Sequence, residues 1–169
     1  MANAQLDHHA HRPAAGRHAL RLLAHDVRRP ANVGSLFRLA DALGVEHLHL
    51  TGTSCRPPHP KLHTAARHTE LHVPYDYAPD PRPVVAALKA AGYRIVCLEI
   101  TSASIALDTF EVAAGERLCL VLGNESVGVS QALLDAADAT VHIPMQGVNS
   151  SMNVACACAI AAWAIARRL

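Results

Sequence analysis

Two apolar runs in the C-terminal third, each broken at once by a polar, glycine-bearing loop and followed by a helical stretch, constrain this chain more than any other feature. Leu118-Cys119-Leu120-Val121-Leu122 breaks into Gly123-Asn124-Glu125-Ser126-Val127-Gly128, and Ser130 to Ala137 then reads as a short helix. Ala139-Thr140-Val141-His142-Ile143-Pro144 breaks into the loop from Met145 to Asn153, and a last helix runs from about Asn153 to Arg168. Two strand ends of this kind place two concave backbone surfaces at one edge of a parallel sheet, where open α/β folds bind ligands.

The rest of the chain supplies the other elements of such a sheet. Ala19 to His25 reads as a first strand, and Val27 to Gly34 as the loop leaving it, with Asn32 the N-cap of a helix from Val33 or Gly34 to Leu43. On that helix Leu36, Leu39, Ala40 and Leu43 form one apolar stripe. Arg38 lies off the stripe in the first or second turn, within reach of the mouth of the preceding loop. Glu46 to Leu50 is a strand, Thr51 to Pro60 a loop, Lys61 to His68 a short helix and Leu71 to Tyr75 a strand. Asp80 starts a helix that ends at Gly92, and Tyr93 to Ile100 is the next strand. Strands and helices alternating in this way predict an α/β fold, a parallel sheet flanked by helices. The expected organisation is a mobile leader over residues 1–16 and a single domain over 17–169.

Composition excludes several classes of function. With 169 residues, 51% apolar and 17% charged, the chain can bury a substantial core without staples. No apolar run approaches the ~20 residues of a membrane helix, and the start carries no secretory segment, so the expected compartment is cytoplasmic, with no membrane partner. The formal net charge of +1 argues against a protein that simply coats nucleic acid. Its distribution is uneven: Arg12, Arg17, Arg21, Arg28, Arg29 and Arg38 outnumber Asp7 and Asp26 in the first forty residues, the outline of a local basic face or of scattered solvated arginines. The five cysteines contain no Cys-x-x-Cys pair and read as reduced and structural. Among the twelve histidines, His59 and His63 have helical spacing and His8, His9 and His11 cluster near the start, but no acid or thiol is positioned to complete a site, and no metal is expected.

Three segments together resemble the SPOUT superfamily of methyltransferases, specifically the SpoU or TrmH-like tRNA and rRNA ribose methyltransferases. They are Asn32-x-Gly34-x-x-x-Arg38 ending at Gly44, then Leu122-Gly123-Asn124-Glu125-x-x-Gly128, then Ile143-Pro144-Met145 through Ser151-Met152-Asn153-Val154. The resemblance covers nearly everything after Arg17. It implies a parallel α/β domain with a C-terminal trefoil knot, S-adenosylmethionine in the knotted loops and a homodimer completing the site. It also implies methyl transfer to a ribose 2′-hydroxyl of tRNA or rRNA. A catalytically inactive fold that binds RNA or cofactor is the alternative.

Position by position, the resemblance assigns cofactor contacts to Gly123, Ile143 and Met152, with Thr101 at the end of the fourth strand. Met152 stands where relatives usually carry leucine, a swap that conserves volume. Arg38 matches the arginine that assists attack by the ribose hydroxyl; Asn32, Glu125, Ser151 and Asn153 match the polar residues that shape the site. Plain structural readings stand beside these: Asn32 and Asn153 as helix caps, and Glu125 as an acid favouring a helix N-terminus. Residues 57–72 are rich in histidine where lysine and glycine are expected. The absence of an added RNA-binding domain suggests a compact member. The last helix, with Val154, Ala157, Ile160, Ala161, Ala164 and Ile165 on one side, is the candidate for knot packing and dimer contact.

Overall fold

The protein is described by a computed structural model covering residues 3, 4 and 16–169, so most of the expected leader lies outside the described residues. The strands are β1 (His18–His25), β2 (Val45–Thr51), β3 (Tyr75–Ala78), β4 (Tyr93–Leu98), β5 (Ile105–Ala106), β6 (Arg117–Leu122) and β7 (Ala139–His142). The helices are α1 (Pro30–Ala42), α2 (Pro60–Ala66), α3 (Pro81–Ala90), α4 (Gln131–Ala136) and α5 (Val154–Ala166). The seven strands form one sheet in the order β3-β2-β1-β6-β4-β7-β5, and every pairing is parallel.

Because helices cover both faces, the central strands are buried on both sides and lose the alternation of a half-exposed strand. β6 shows this residue by residue. Leu118, Leu120 and Leu122 enter one core with Leu22, Leu36, Phe37, Leu62 and Ile165, against α1, α2 and α5. Cys119 and Val121 point the other way and pack with Val85, Leu88, Ile95 and Leu133, against α3 and α4. Complete burial of about a dozen large side chains drives this assembly, each worth ~1.5–3 kcal/mol.

Three expectations are corrected and one strand is added. α1 begins at Pro30, with Arg29 at the N-cap position, so Asn32 lies inside the helix and caps nothing. Proline suits the first turn because its missing N–H would have no intrahelical partner there. Residues 71–75 are not a strand: Thr69–Leu71 form a 3-10 turn after left-handed Arg67 and His68, and the ladder starts only at Tyr75. β5 was not anticipated, since two residues at a sheet edge leave no period to detect. On α5 the buried set is Ala155, Cys158, Ala161, Ala162, Ile165 and Ala166, while Ile160 and Trp163 face outward. A helix that is apolar all round gives no phase from which to choose its inner face.

Two glycines in the motifs carry local geometry. Gly34 is where α1 touches α2: a Cβ there would lie 2.6 Å from the Leu62 carbonyl oxygen and 2.7 Å from Ala65 Cβ. Gly128 has φ +70°, and a Cβ there would overlap the Glu99 carboxylate.

Candidate active site

β6, β4 and β7 are consecutive in the sheet, and the loops leaving their carboxyl ends surround one cavity of about 530 Å³. Glu99, Ile100 and Thr101 follow β4, Gly123 to Val129 follow β6, and Ile143, Met145 and Ser150 to Met152 follow β7. The cavity therefore stands at the carboxyl edge that the sequence indicates.

Each loop is fixed by its own short-range chemistry. After β6, Asn124 and Gly128 exchange two backbone hydrogen bonds of 3.0 Å, and the Asn124 Oδ1 accepts from the N–H of Ser126 and Val127. The Asn124 amide also donates to the Asp26 carbonyl at 2.8 Å, pinning this turn to the end of β1. Glu99 holds the same turn from β4: its Oε2 accepts from Val129 N–H and its Oε1 from Ile100 N–H, both at 2.9 Å. After β4, Thr101 N–H donates to Ser104 Oγ at 3.0 Å. The loop after β7 is less tied. Among the described residues the backbone N–H groups of Met145 and Met152 have no intramolecular acceptor, and both residues line the cavity.

A chain of side-chain hydrogen bonds behind the cavity joins the three motif segments. The Glu125 carboxylate accepts from the backbone N–H of Arg29 (3.0 Å) and Arg28 (3.2 Å) and from the Asn32 amide (2.9 Å). It does so at the positive end of α1, whose first N–H groups lack intrahelical partners. Burial opposes ionisation of Glu125, but the hydrogen bonds from Arg29, Asn32 and Arg28 outweigh it and hold the carboxyl below its usual range. Asn32, only 7% exposed, turns its other amide atom to Asn153, whose Nδ2–H donates to Asn32 Oδ1 at 2.9 Å. The Asn153 Oδ1 in turn accepts from Ala155 and Cys156 N–H and caps α5. Glu125 and Asn153 thus hold helix termini, as their plain reading has it, and Asn32 couples them.

Of the nine residues singled out in the sequence, Thr101, Gly123, Glu125, Ile143, Ser151 and Met152 line the cavity. Asn32 and Asn153 stand behind it. Arg38 is exposed in the third turn of α1 and is not among the lining residues of its own chain. The earlier start of α1 moves it a turn farther along than the sequence suggested. Glu99 was missed. The one sign of it is an acid closing an apolar strand, and its contact with Val129 requires knowing that β4 neighbours β6.

A parallel α/β domain in which the loops leaving three consecutive strands enclose a mixed polar and apolar cavity has the form of a small-molecule binding domain. Residues 19–163 match the SpoU rRNA Methylase family, and the chain belongs to that family. It is 31% identical over 139 residues to the 23S rRNA (guanosine(2553)-2′-O)-methyltransferase RlmP of Bacillus subtilis, an alignment covering 82% of this chain and 54% of that protein. The crystal structure of the SpoU methyltransferase AviRb from Streptomyces viridochromogenes in complex with the cofactor AdoMet superimposes with a TM-score of 0.80 at 30% identity, covering 90% of this chain and 58% of that one. A third structure, described as "Structural insights into the 2-OH methylation of C/U34 on tRNA", superimposes at 0.79 and 29% identity, covering 90% of this chain and 97% of that chain. The chain spans about half the length of the curated relatives it matches. No helix among the described residues is long and apolar enough to cross a membrane.

Proposed function

We propose that this chain transfers a methyl group from S-adenosylmethionine to a ribose 2′-hydroxyl of tRNA, with rRNA the second candidate, in the cytoplasm and as a homodimer. The observation that carries the proposal is the convergence of the second and third motif segments on one cavity, with the first segment joined to both behind it through Asn32, which bonds Glu125 and Asn153. Preference for tRNA is supported by the relative whose full length the chain matches and which is described for tRNA.

The cavity suits the cofactor on its own features. At Gly123 a Cβ would collide with the Gly128 backbone, so the two turns meet through bare backbone, and the Met145 and Met152 N–H groups are free to donate to a purine edge or a ribose. Met152 and Ile143 supply apolar walls. A trefoil threading of the C-terminal segment is part of the same proposal and rests on the family match alone.

When bound, S-adenosylmethionine supplies an electrophilic methyl group on a sulfonium and leaves as S-adenosylhomocysteine. The 2′-oxygen gains the methyl carbon as the sulfur–carbon bond breaks, and the hydroxyl proton passes to solvent or a basic group. The protein has to align that oxygen, exclude water and stabilise developing negative charge. Arg38 performs the last task by presenting its guanidinium to the ribose oxygen and an adjacent phosphate; a guanidinium stays protonated at neutral pH and suits that role better than proton abstraction. Its exposure in the third turn of α1, away from the cavity of its own chain, supports entry into the cavity of a second subunit. Exposed Ile160 and Trp163 on α5 provide apolar surface for that pairing. Ser151, exposed at the cavity lip, is placed to contact the RNA.

Incubating the protein with methyl-labelled cofactor and bulk tRNA or rRNA, then digesting to nucleosides, tests the proposal. Labelled 2′-O-methylnucleoside is expected, and Arg38→Ala is expected to abolish it while cofactor affinity stays within a few fold. Cofactor binding without transfer to any RNA would replace the proposal with the inactive-fold reading.

A further inference from the structure

On the opposite half of the sheet from the cavity, three side chains of metal-ligating type meet on one face. His47 and His49 alternate along β2, so both project from the same side of the strand. β3 runs parallel beside it with Asp76 directly opposite His49. The Asp76 carboxylate faces both rings, one oxygen to each: His49 Nδ1 lies 2.8 Å from Oδ1 and His47 Nε2 lies 3.3 Å from Oδ2. One nitrogen from each ring and one carboxylate oxygen lie within 4.8 Å of one another.

We propose that His47, His49 and Asp76 form a binding site for a divalent transition-metal ion of the zinc class, which clips the edge strand β3 to β2. Two imidazoles and one carboxylate are a donor set that zinc accepts with a fourth, open position for water. The nitrogen-rich set favours zinc, cobalt, nickel or copper over magnesium or calcium, which take oxygen ligands.

Hydrogen bonding alone leaves this cluster short of partners. His49 is 4% exposed, and among the described residues neither ring bonds to any backbone carbonyl or to any side chain except Asp76. His47 Nε2 is a buried atom with no well-formed hydrogen bond. Asp76 is half exposed and opens a path for the ion and its water.

One cation stands nearby. Arg21 pairs with His47 across the β1–β2 ladder, but Glu46 takes its guanidinium in two hydrogen bonds of 3.1 and 3.2 Å and offsets its charge. The site is separate from the cavity: β1 stands between β2 and β6, and none of the three side chains is among the cavity's lining residues. Its effect is on the sheet edge: β3 has four residues and only one neighbouring strand, and a metal bond across that ladder fastens it at its middle.

The test uses the full chain, stripped with a chelator and titrated with Co²⁺ while the visible spectrum is followed, and with Zn²⁺ by calorimetry. One ion per chain is expected, with the intense d–d bands of low coordination number, and Zn²⁺ should raise the melting temperature. His47→Gln and Asp76→Asn should each weaken binding at least about tenfold and remove the melting shift. A variant with His8, His9, His11, His59 and His63 all changed to Gln should keep the ion, which separates the site from the other histidine clusters. Anomalous diffraction at the zinc edge from the unsubstituted protein should place the ion among the three side chains, whatever the variants do to folding. Absence of Co²⁺ bands, an anomalous peak elsewhere, or binding that survives His47→Gln and Asp76→Asn but not the five-histidine variant would overturn the proposal.

Discussion

Replacing Asn32 by alanine probes the linkage that gives the site its shape. The substitution deletes the bond to the Glu125 carboxylate (2.9 Å) and the bond from Asn153 (2.9 Å) at a position only 7% exposed. A hydrogen bond to a charged group contributes ~1.5–3 kcal/mol and a neutral one ~0.5–1.5 kcal/mol. Together they predict a loss of about 2–4.5 kcal/mol, a large share of the ~5–15 kcal/mol that holds a typical domain. For a chain of this size that lowers the melting temperature by roughly 5–15 °C. The pH dependence identifies the mechanism. Glu125 has a folded-state pKa below its ordinary value of 4.5, so its contribution is complete above that value and disappears as pH falls through the lower folded one. Asn32 is one cause of the lowering, so the stability difference between parent and variant should be full at neutral pH and shrink on acidification through that window. Denaturant melts at a series of pH values from neutral to acid, read by circular dichroism, measure it. A variant within 1 °C of the parent (about 0.3 kcal/mol at this size), or a difference that stays constant down to acid pH, would refute the reasoning.

Other substitutions and reagents read separate parts of the structure. Gly128→Ala forces a side chain into left-handed backbone and against a Glu99 carboxylate already held by two N–H groups, which should cost about 2–5 kcal/mol and weaken cofactor binding in a calorimetric titration. Gly34→Ala, despite the better helix propensity of alanine, should destabilise by about 1–3 kcal/mol in chemical denaturation because the α2 backbone at Leu62 has to move. In the native protein half-buried Cys55 should react slowly with a thiol reagent, and Cys156, exposed in the single chain but one turn before Ile160 on the face proposed for subunit pairing, should react fastest only where the subunits separate. Cys97 and Cys158, whose thiols burial pushes up to about 12, and wholly buried Cys119 should react only on unfolding, as mass spectrometry of alkylated peptides would show.

Much of the sheet was legible because burial on both faces writes long apolar runs. β6 is readable from Leu118 to Leu122, and the caps at Asp80 and Asn153 mark where α3 and α5 begin. The positions of the cavity loops followed from the same runs. What was hidden depends on contacts between segments distant in sequence. Asn32 looks like a cap until Pro30 starts the helix earlier, and its partners lie 93 and 121 residues away. Glu99 acquires meaning only from the order β6-β4-β7. His47 and His49 lie on the strand read over residues 46–50 but were not singled out, because the acid beside them, Asp76, falls outside the strand placed over residues 71–75.

The segment after β7 is unequally anchored along its length. Its far end is riveted at Asn153, which serves α5 and Asn32 at once, whereas Met145 to Ser150 has few internal bonds and mostly faces solvent. The backbone N–H groups of Met145 to Ser150 should therefore exchange with solvent faster than those of Ala155 and Cys156, which the Asn153 side chain holds at the start of α5.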